Sequence, residues 1–183
     1  MLLGRATLMG NMQPKPDTPQ FGFWAPSNVV TEGGRERVYL LPGNLHVSTE
    51  PCQITTILGS CVSICLWDKR RRAGGMNHFL LPASAEDGPT SSRFADVATR
   101  MLLEQLRALG CQRADLVAKI YGGSTVFRSE NQYAASLGAN NVAAALRLMQ
   151  NAGIPVVAQE TGGERGQKII FHTDDGVVWS RRI

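Results

Sequence analysis

The 183-residue chain has no apolar run approaching the roughly 20 residues that a membrane-spanning helix needs. Its N-terminus has no continuous apolar stretch of the kind an export signal requires, so the expectation is a cytoplasmic protein. The four cysteines, Cys52, Cys61, Cys65 and Cys111, follow no disulfide-scaffold spacing and include no CxxC pair. That argues against a stapled fold and a structural zinc site, and for reduced thiols. A site shared by Cys61, Cys65 and His78 fails on distance. On one strand face the two cysteines stand about 13 Å apart, too far for one tetrahedral ion, so no metal is expected. Neither GxGxxG nor a P-loop lysine is present, and no nucleotide or other cofactor is expected. The net charge of +4 is too small to argue for nucleic acid, although it suits an acidic partner surface.

What is present is a chain of globular composition, 43% hydrophobic and 19% charged, long enough to bury a core without staples. Residues 1–36 read as a flexible N-terminal extension, with Pro14, Pro16, Pro19 and Pro26 and little periodicity. Phe21, Phe23 and Trp24 interrupt it and suggest docking, on the domain itself before any partner. The folded domain is expected over 37–183. Apolar and β-branched runs predict strands at Arg37–Leu41, Ile54–Leu58, Val62–Trp67, Met76–Leu81, Asp115–Tyr121, Val156–Gln159, Lys168–His172 and Gly176–Arg181. A helix capped by Ser91 or Ser92 is predicted to run to about Leu109, and one capped by Asn140 or Asn141 to run over Val142–Asn151. Strands predominate and helices fall between strand groups, which predicts an α+β layered fold.

The chemistry-bearing stretch is Thr55-Thr56-Ile57-Leu58-Gly59-Ser60-Cys61-Val62-Ser63-Ile64-Cys65-Leu66-Trp67, followed by Gly74-Gly75-Met76-Asn77-His78-Phe79. Two apolar runs joined by Asp68-Lys69-Arg70-Arg71-Arg72-Ala73 predict a β-hairpin with the arginines in a solvated turn. A turn centred near Lys69-Arg70 would put Cys61 directly opposite His78, with Cβ atoms about 4.5–5.5 Å apart. A nucleophilic cysteine needs such a base. Gly59-Ser60 would let the backbone turn and leave N–H groups near the sulfur for an oxyanion. Thr55 would orient the imidazole through its hydroxyl or its carbonyl. The plain alternative stands beside this: Cys61 and Cys65 as core residues, and His78 as a satisfied core histidine. His46 is a further base in principle, with nothing to bring it to Cys61.

Leu58-Gly59-Ser60-Cys61-Val62 with Gly74-Gly75-Met76-Asn77-His78-Phe79-Leu80-Leu81-Pro82 resembles the CheD family of chemoreceptor glutamine deamidases. So do Tyr121-Gly122-Gly123 with Phe127, Leu137-Gly138-Ala139-Asn140-Asn141, and Gly162-Gly163-Glu164-Arg165-Gly166 with Ile169-Ile170-Phe171 and Gly176. The likeness spans roughly 37–183. It implies a sandwich of mixed β-sheets with helices packed outside, α/β/β/α-like. It implies hydrolysis of glutamine side-chain amides to glutamate on methyl-accepting chemotaxis receptors. Cys61 would be the nucleophile, His78 the base and Thr55 the assisting residue, with Gly59, Ser60 and Asn77 as substrate contacts. It also implies a CheC-type phosphatase as a possible partner, which leaves open a non-catalytic, receptor- or CheC-binding regulator. A thiol protease or transglutaminase would use the same Cys–His chemistry. The chain departs from the family pattern in having Asn140 and Gln167 where arginine is usual.

Overall fold

Two five-stranded mixed sheets lie face to face, and both described helices cover the outer side of one of them. The computed structural model describes residues 29–32, 35–83, 91–125 and 132–183. The first sheet contains β1 (Val29–Glu32), β2 (Arg35–Tyr39), β4 (Cys52–Leu58), β9 (Gln167–His172) and β10 (Val178–Arg182), in the order β1-β2-β4-β9-β10. The second contains β3 (Leu45–Ser48), β5 (Val62–Asp68), β6 (Ala73–Asn77), β7 (Leu116–Gly122) and β8 (Val156–Thr161), in the order β3-β6-β5-β7-β8. Helix α1 (Ala95–Ala108) lies over β3 and β6, and α2 (Gln132–Ala152) over β5, β7 and β8. The α+β sandwich of mixed sheets is therefore as expected, and its layer order among the described residues is helix, sheet, sheet. The outer face of the first sheet presents Tyr39, Ile57 and Trp179 to solvent.

The pattern of apolar residues explains the layering. Strand β5 is the centre of the second sheet, between β6 and β7, with helices on one face and the other sheet on the other. Its even-numbered Val62, Ile64 and Leu66 join Phe79, Leu102, Leu106 and Ile120 under the helices. Its odd-numbered Cys65 faces Ile54, Leu58, Ile169 and Phe171 across the sheet interface. A strand buried on both faces reads as one continuous apolar run, as Val62–Trp67 does. Strand β4 is buried on one face only and alternates, with Ile54, Thr56 and Leu58 inside.

Most strand ends shift by one or two residues from expectation, and four elements differ more. The first sheet includes Val29–Glu32, paired antiparallel with β2, so ordered structure reaches into the segment expected to be an extension. Phe21, Phe23, Trp24 and Phe127 lie outside the described residues. Strand β6 starts at Ala73 because Gly74 and Gly75 pair with Trp67 and Leu66, and it ends at Asn77. Helix α1 starts at Ala95 behind Phe94, and Ser92 Oγ instead donates to the Gly43 carbonyl. Helix α2 starts at Gln132, so Asn140 and Asn141 lie inside it and cap nothing.

The Gly74-Gly75 pair sits where two layers press on β6. A Cβ on Gly75 would lie 2.6 Å from Val47 Cγ1 and 2.7 Å from the His46 carbonyl oxygen; one on Gly74 would lie 2.9 Å from the Phe171 ring. Gly75→Ala is expected to destabilise the fold by about 1–3 kcal/mol through overpacking against backbone that cannot retreat. Urea unfolding measures this, and a change within about 0.5 kcal/mol, typical of an unconstrained surface site, would contradict the packing described.

Candidate active site

The Gly59-Ser60-Cys61 link carries the chain from β4 in one sheet to β5 in the other. All three of its carbonyls are held from the same side. Gly59 O accepts from Ser124 N at 2.8 Å and Ser124 Oγ at 3.0 Å. Ser60 O accepts from Asn141 Nδ2 at 2.9 Å, and Cys61 O from Gly123 N at 2.8 Å. In a planar trans peptide the N–H points away from the preceding carbonyl. Holding Gly59 O and Ser60 O toward Ser124 and α2 therefore turns the Ser60 and Cys61 N–H groups to the other side. The Cys61 N–H lies against its own sulfur and partly offsets the effect of burial there. The loop that holds these carbonyls depends on Gly122, at φ +102°, where a Cβ would lie 2.3 Å from Cys61 O.

His78 follows β6 and leaves its ladder. Its N–H donates to Asn44 O and its carbonyl accepts from Gly43 N, so the backbone turns toward the loop before β3. The imidazole is buried between the sheets, and Nδ1 lies 2.9 Å from Thr56 Oγ1 on β4. Thr56 Oγ1 also lies 2.7 Å from Leu40 O, which can only accept. The single hydroxyl proton is thus committed to Leu40, and the threonine oxygen accepts the Nδ1 proton. That tautomer puts the free lone pair on Nε2, which is buried and has no hydrogen-bond partner among the described residues.

The hairpin register shifts the expected pairing. The turn covers Lys69–Arg72, with Asp68 opposite Ala73 and Val62 bridged to Phe79. This register sets His78 across from Ser63 and one diagonal step from Cys61, instead of directly opposite it. The strand period of two keeps both side chains on the inter-sheet face. Diagonal neighbours stand about 7–8 Å apart at the backbone, a gap that a long or aromatic side chain spans.

Two expected residues do not reach the site. Thr55 points to the outer face of the first sheet, because β4 alternates and Thr56 takes the inner face; the Thr55 carbonyl is occupied by Leu40 N at 2.8 Å. Thr56 was available in the sequence as the inward partner of Ile54 and Leu58, but the Gly59-Ser60 turn breaks the count back from Cys61. Asn77 is wholly buried, and its Oδ1 accepts from Ile64 N at 2.9 Å, where the ladder carbonyl would otherwise sit. It is a structural residue and does not line a binding surface. Gly59 and Ser60 do lie beside Cys61. Of the two family departures, Asn140 is exposed on α2, while Gln167 is buried and accepts from Gly122 N at 3.0 Å, bracing the loop behind Cys61.

Electrostatically the pair rests uncharged. Burial pushes the Cys61 thiol up, and burial lowers His78 to about 4 despite the opposing effect of the nearby Leu40 carbonyl. Cys61 is half-buried, whereas Cys52, Cys65 and Cys111 are buried. Two clusters among the described residues bring possible metal ligands within 4.8 Å of one another, Glu36–His46–Cys52 and His172–Asp174–Asp175. Neither includes Cys61 or His78. His46 lies 3.9 Å from Glu36 and takes no part in the site.

The family model described as "CheD chemotactic sensory transduction" matches residues 80–182. A protein of Anaeromyxobacter dehalogenans named "Probable chemoreceptor glutamine deamidase CheD 1" is 49% identical over 151 residues, covering 82% of this chain and 87% of the relative. One from Trichlorobacter lovleyi, "Probable chemoreceptor glutamine deamidase CheD", is 43% identical over 142 residues, 78% of this chain and 88% of its own. A Sulfurimonas denitrificans protein of the same name is 38% identical over 148 residues, 81% and 95% respectively.

Two measurements follow from the geometry. If neutral His78 is the base, the acid limb of kcat/KM falls near pH 4, where the imidazole protonates, and the rate is level above it. A limb at the ordinary histidine value of about 6.5 would show that His78 is not held neutral by burial. Second, Thr56→Val is expected to lower kcat tenfold or more, within the roughly 10²–10⁴ that a general base supplies, while Thr55→Val leaves it within about twofold. The reverse ranking would put the orienting hydroxyl on Thr55.

Proposed function

The chain belongs to the CheD family, and from that premise we propose that Cys61 and His78 carry out its hydrolysis of glutamine side-chain amides on chemoreceptors, with Thr56 orienting the imidazole. The protein is a chemoreceptor glutamine deamidase, an amidohydrolase that converts glutamine to glutamate. The observation that carries the residue assignment is His78 Nε2, a buried and unpartnered lone pair on the face that Cys61 shares.

The Cys61 thiol transfers its proton to Nε2 as sulfur attacks the γ-carboxamide carbon. The carbonyl oxygen gains the charge and receives the Cys61 N–H. The C–N bond then breaks, and the imidazolium returns the proton to the departing ammonia. Water, deprotonated at Nε2, attacks the thioester, and the C–S bond breaks to restore the thiol and leave glutamate. The Nδ1 proton stays on the imidazole, donated to the Thr56 oxygen throughout, so the imidazole cannot switch tautomer between the two halves.

The deamidase domain is assigned to 37–183, with Val29–Glu32 added at its sheet edge. No helix among the described residues is long and apolar enough to cross a membrane. The family likeness supports a cytoplasmic site of action, on the receptors' cytoplasmic helices. A CheC-type phosphatase is proposed as a partner on the strength of the family likeness. A receptor cytoplasmic fragment incubated with the enzyme is expected to gain about 1 Da per site, the replacement of –NH₂ by –OH, and none with Cys61→Ala or His78→Ala. A mass gain with the alanine variant at Cys61 would refute the thioester route. Binding without any mass gain by wild type would favour a regulator that does not turn over.

A further inference from the structure

We propose that Asn141 is a positioning residue for the reaction: its side-chain amide clamps the nucleophile arm and the base arm together and aims the Cys61 N–H at the oxyanion. The inference rests on the Cys61–His78 assignment above and concerns a residue that assignment does not use. Asn141 lies within α2, fully buried, at a helix position where a polar amide has no packing advantage. Its Nδ2 donates one proton to Ser60 O at 2.9 Å and the other to Leu80 O at 2.8 Å. Ser60 precedes Cys61, and Leu80 is two residues beyond His78.

The location explains why an amide is needed. Val62 and Phe79 exchange both backbone hydrogen bonds, so the next bonded pair of the ladder would be Ser60 and Leu81. That rung is missing: Leu80 N and Leu81 N both donate to Arg93 O, and Ser60 O and Leu80 O are left as two acceptors that Asn141 reaches from α2. Two carbonyls cannot satisfy one another, and a donor with two protons set between them can satisfy both. The same demand fixes the orientation of the amide, since Oδ1 facing either carbonyl would repel it. Asn141 thus replaces the missing rung at the open end of the hairpin, where the Cys61 and His78 strands would otherwise splay.

The consequence for chemistry comes through peptide planarity. With Ser60 O held by Asn141, the Cys61 N–H on the other side of that peptide is held toward the sulfur and the space in front of it. Asn141 touches no reacting atom. It sets where the oxyanion donor points, and an N–H that is already aimed costs nothing to reorganise when charge develops. Aspartate has nearly the same shape but offers acceptors in place of the two donors, so Asn141→Asp removes both bonds at almost constant volume.

The test compares wild type with Asn141→Asp and Asn141→Ala by steady-state receptor deamidation, with thermal unfolding to establish that each variant is folded. The expected result is a fall in kcat on the order of 10²–10³, the effect of losing an oxyanion donor, with KM changed by less than about threefold. The pH profile of Cys61 alkylation by iodoacetamide is expected to move to higher pH in the variants, as the N–H leaves the sulfur. A folded variant with kcat within about twofold of wild type, or a loss carried by KM alone, would overturn the assignment. Wild-type protein supplies a measurement that needs no variant. The two Asn141 Nδ2 protons should exchange slowly with solvent and couple to the Ser60 and Leu80 carbonyl carbons by NMR. Fast exchange and no coupling would overturn the clamp. An active Cys61→Ala protein would instead refute the nucleophile assignment; an inactive one beside an active Asn141→Asp would refute the clamp alone.

Discussion

The hydrogen bond between Thr56 and His78 is the one contact on which the site depends, because it crosses from one sheet to the other. Its donor chain runs from the imidazole Nδ1 through the Thr56 oxygen to Leu40 O on the first sheet. Removing a histidine from water is costly for its charged form and moderate for its neutral form. The inter-sheet core therefore selects the neutral imidazole, and the threonine selects which nitrogen carries the proton. Everything else about the base follows from these two choices. The layers of Ile54, Leu58, Ile169 and Phe171 that hold the sheets in contact also hold the distance between Thr56 and His78.

A second dependence runs through the backbone. Cys61, the proposed nucleophile, sits on a three-residue link whose carbonyls are all taken by Ser124, Asn141 and Gly123. The link would be free to rotate if those acceptors faced water. Their capture by a loop and a helix more than 60 residues further along the chain holds the turn in place. It also explains why Gly122 and Gly138 are glycines in an otherwise well-packed region. A Cβ on Gly138 would lie 2.5 Å from Gly123 O, so α2 can approach the loop only where it has no side chain.

Much of this was legible in the sequence, and the gaps have physical causes. The run Val62–Trp67 announced a strand buried on both faces, and Asn77, His78 and Cys61 stood in the right stretches. The hairpin register could not be read from the turn, because a run of one lysine and three arginines fits several turn centres equally well. The slip was even, so Cys61 and His78 are not directly opposed as expected but still lie on one face of the sheet. Thr55 and Thr56 could not be separated by counting from Cys61 across an irregular turn; only the alternation Ile54, Thr56, Leu58 distinguishes them. Asn141 read as a helix cap because asparagine prefers that position. Its use inside the helix depends on two carbonyls more than 60 residues away in sequence, which no local signal contains.

Burial of both groups favours a neutral Cys61 thiol and a neutral His78 imidazole at rest, in contrast to the thiolate–imidazolium pair of many cysteine enzymes. Two opposite charges between these sheets would need desolvation that their mutual attraction does not clearly repay. An uncharged thiol is also a poorer target for oxidants, which react with the thiolate. The cost is that sulfur must be activated at the moment of attack, and the activation has to be local. On the proposed assignment, Nε2 can take the proton because no described residue is bonded to it, and the Cys61 N–H can donate to the oxygen that gains the negative charge because it is already turned that way. A primary amide is a weak electrophile with a poor leaving group, so the same proton that leaves sulfur has to reach nitrogen. A base with a low proton affinity is suited to that second transfer. An imidazolium that binds its proton weakly gives it up readily to the departing ammonia, so the burial that makes His78 a weak base in the first half makes it a strong acid in the second.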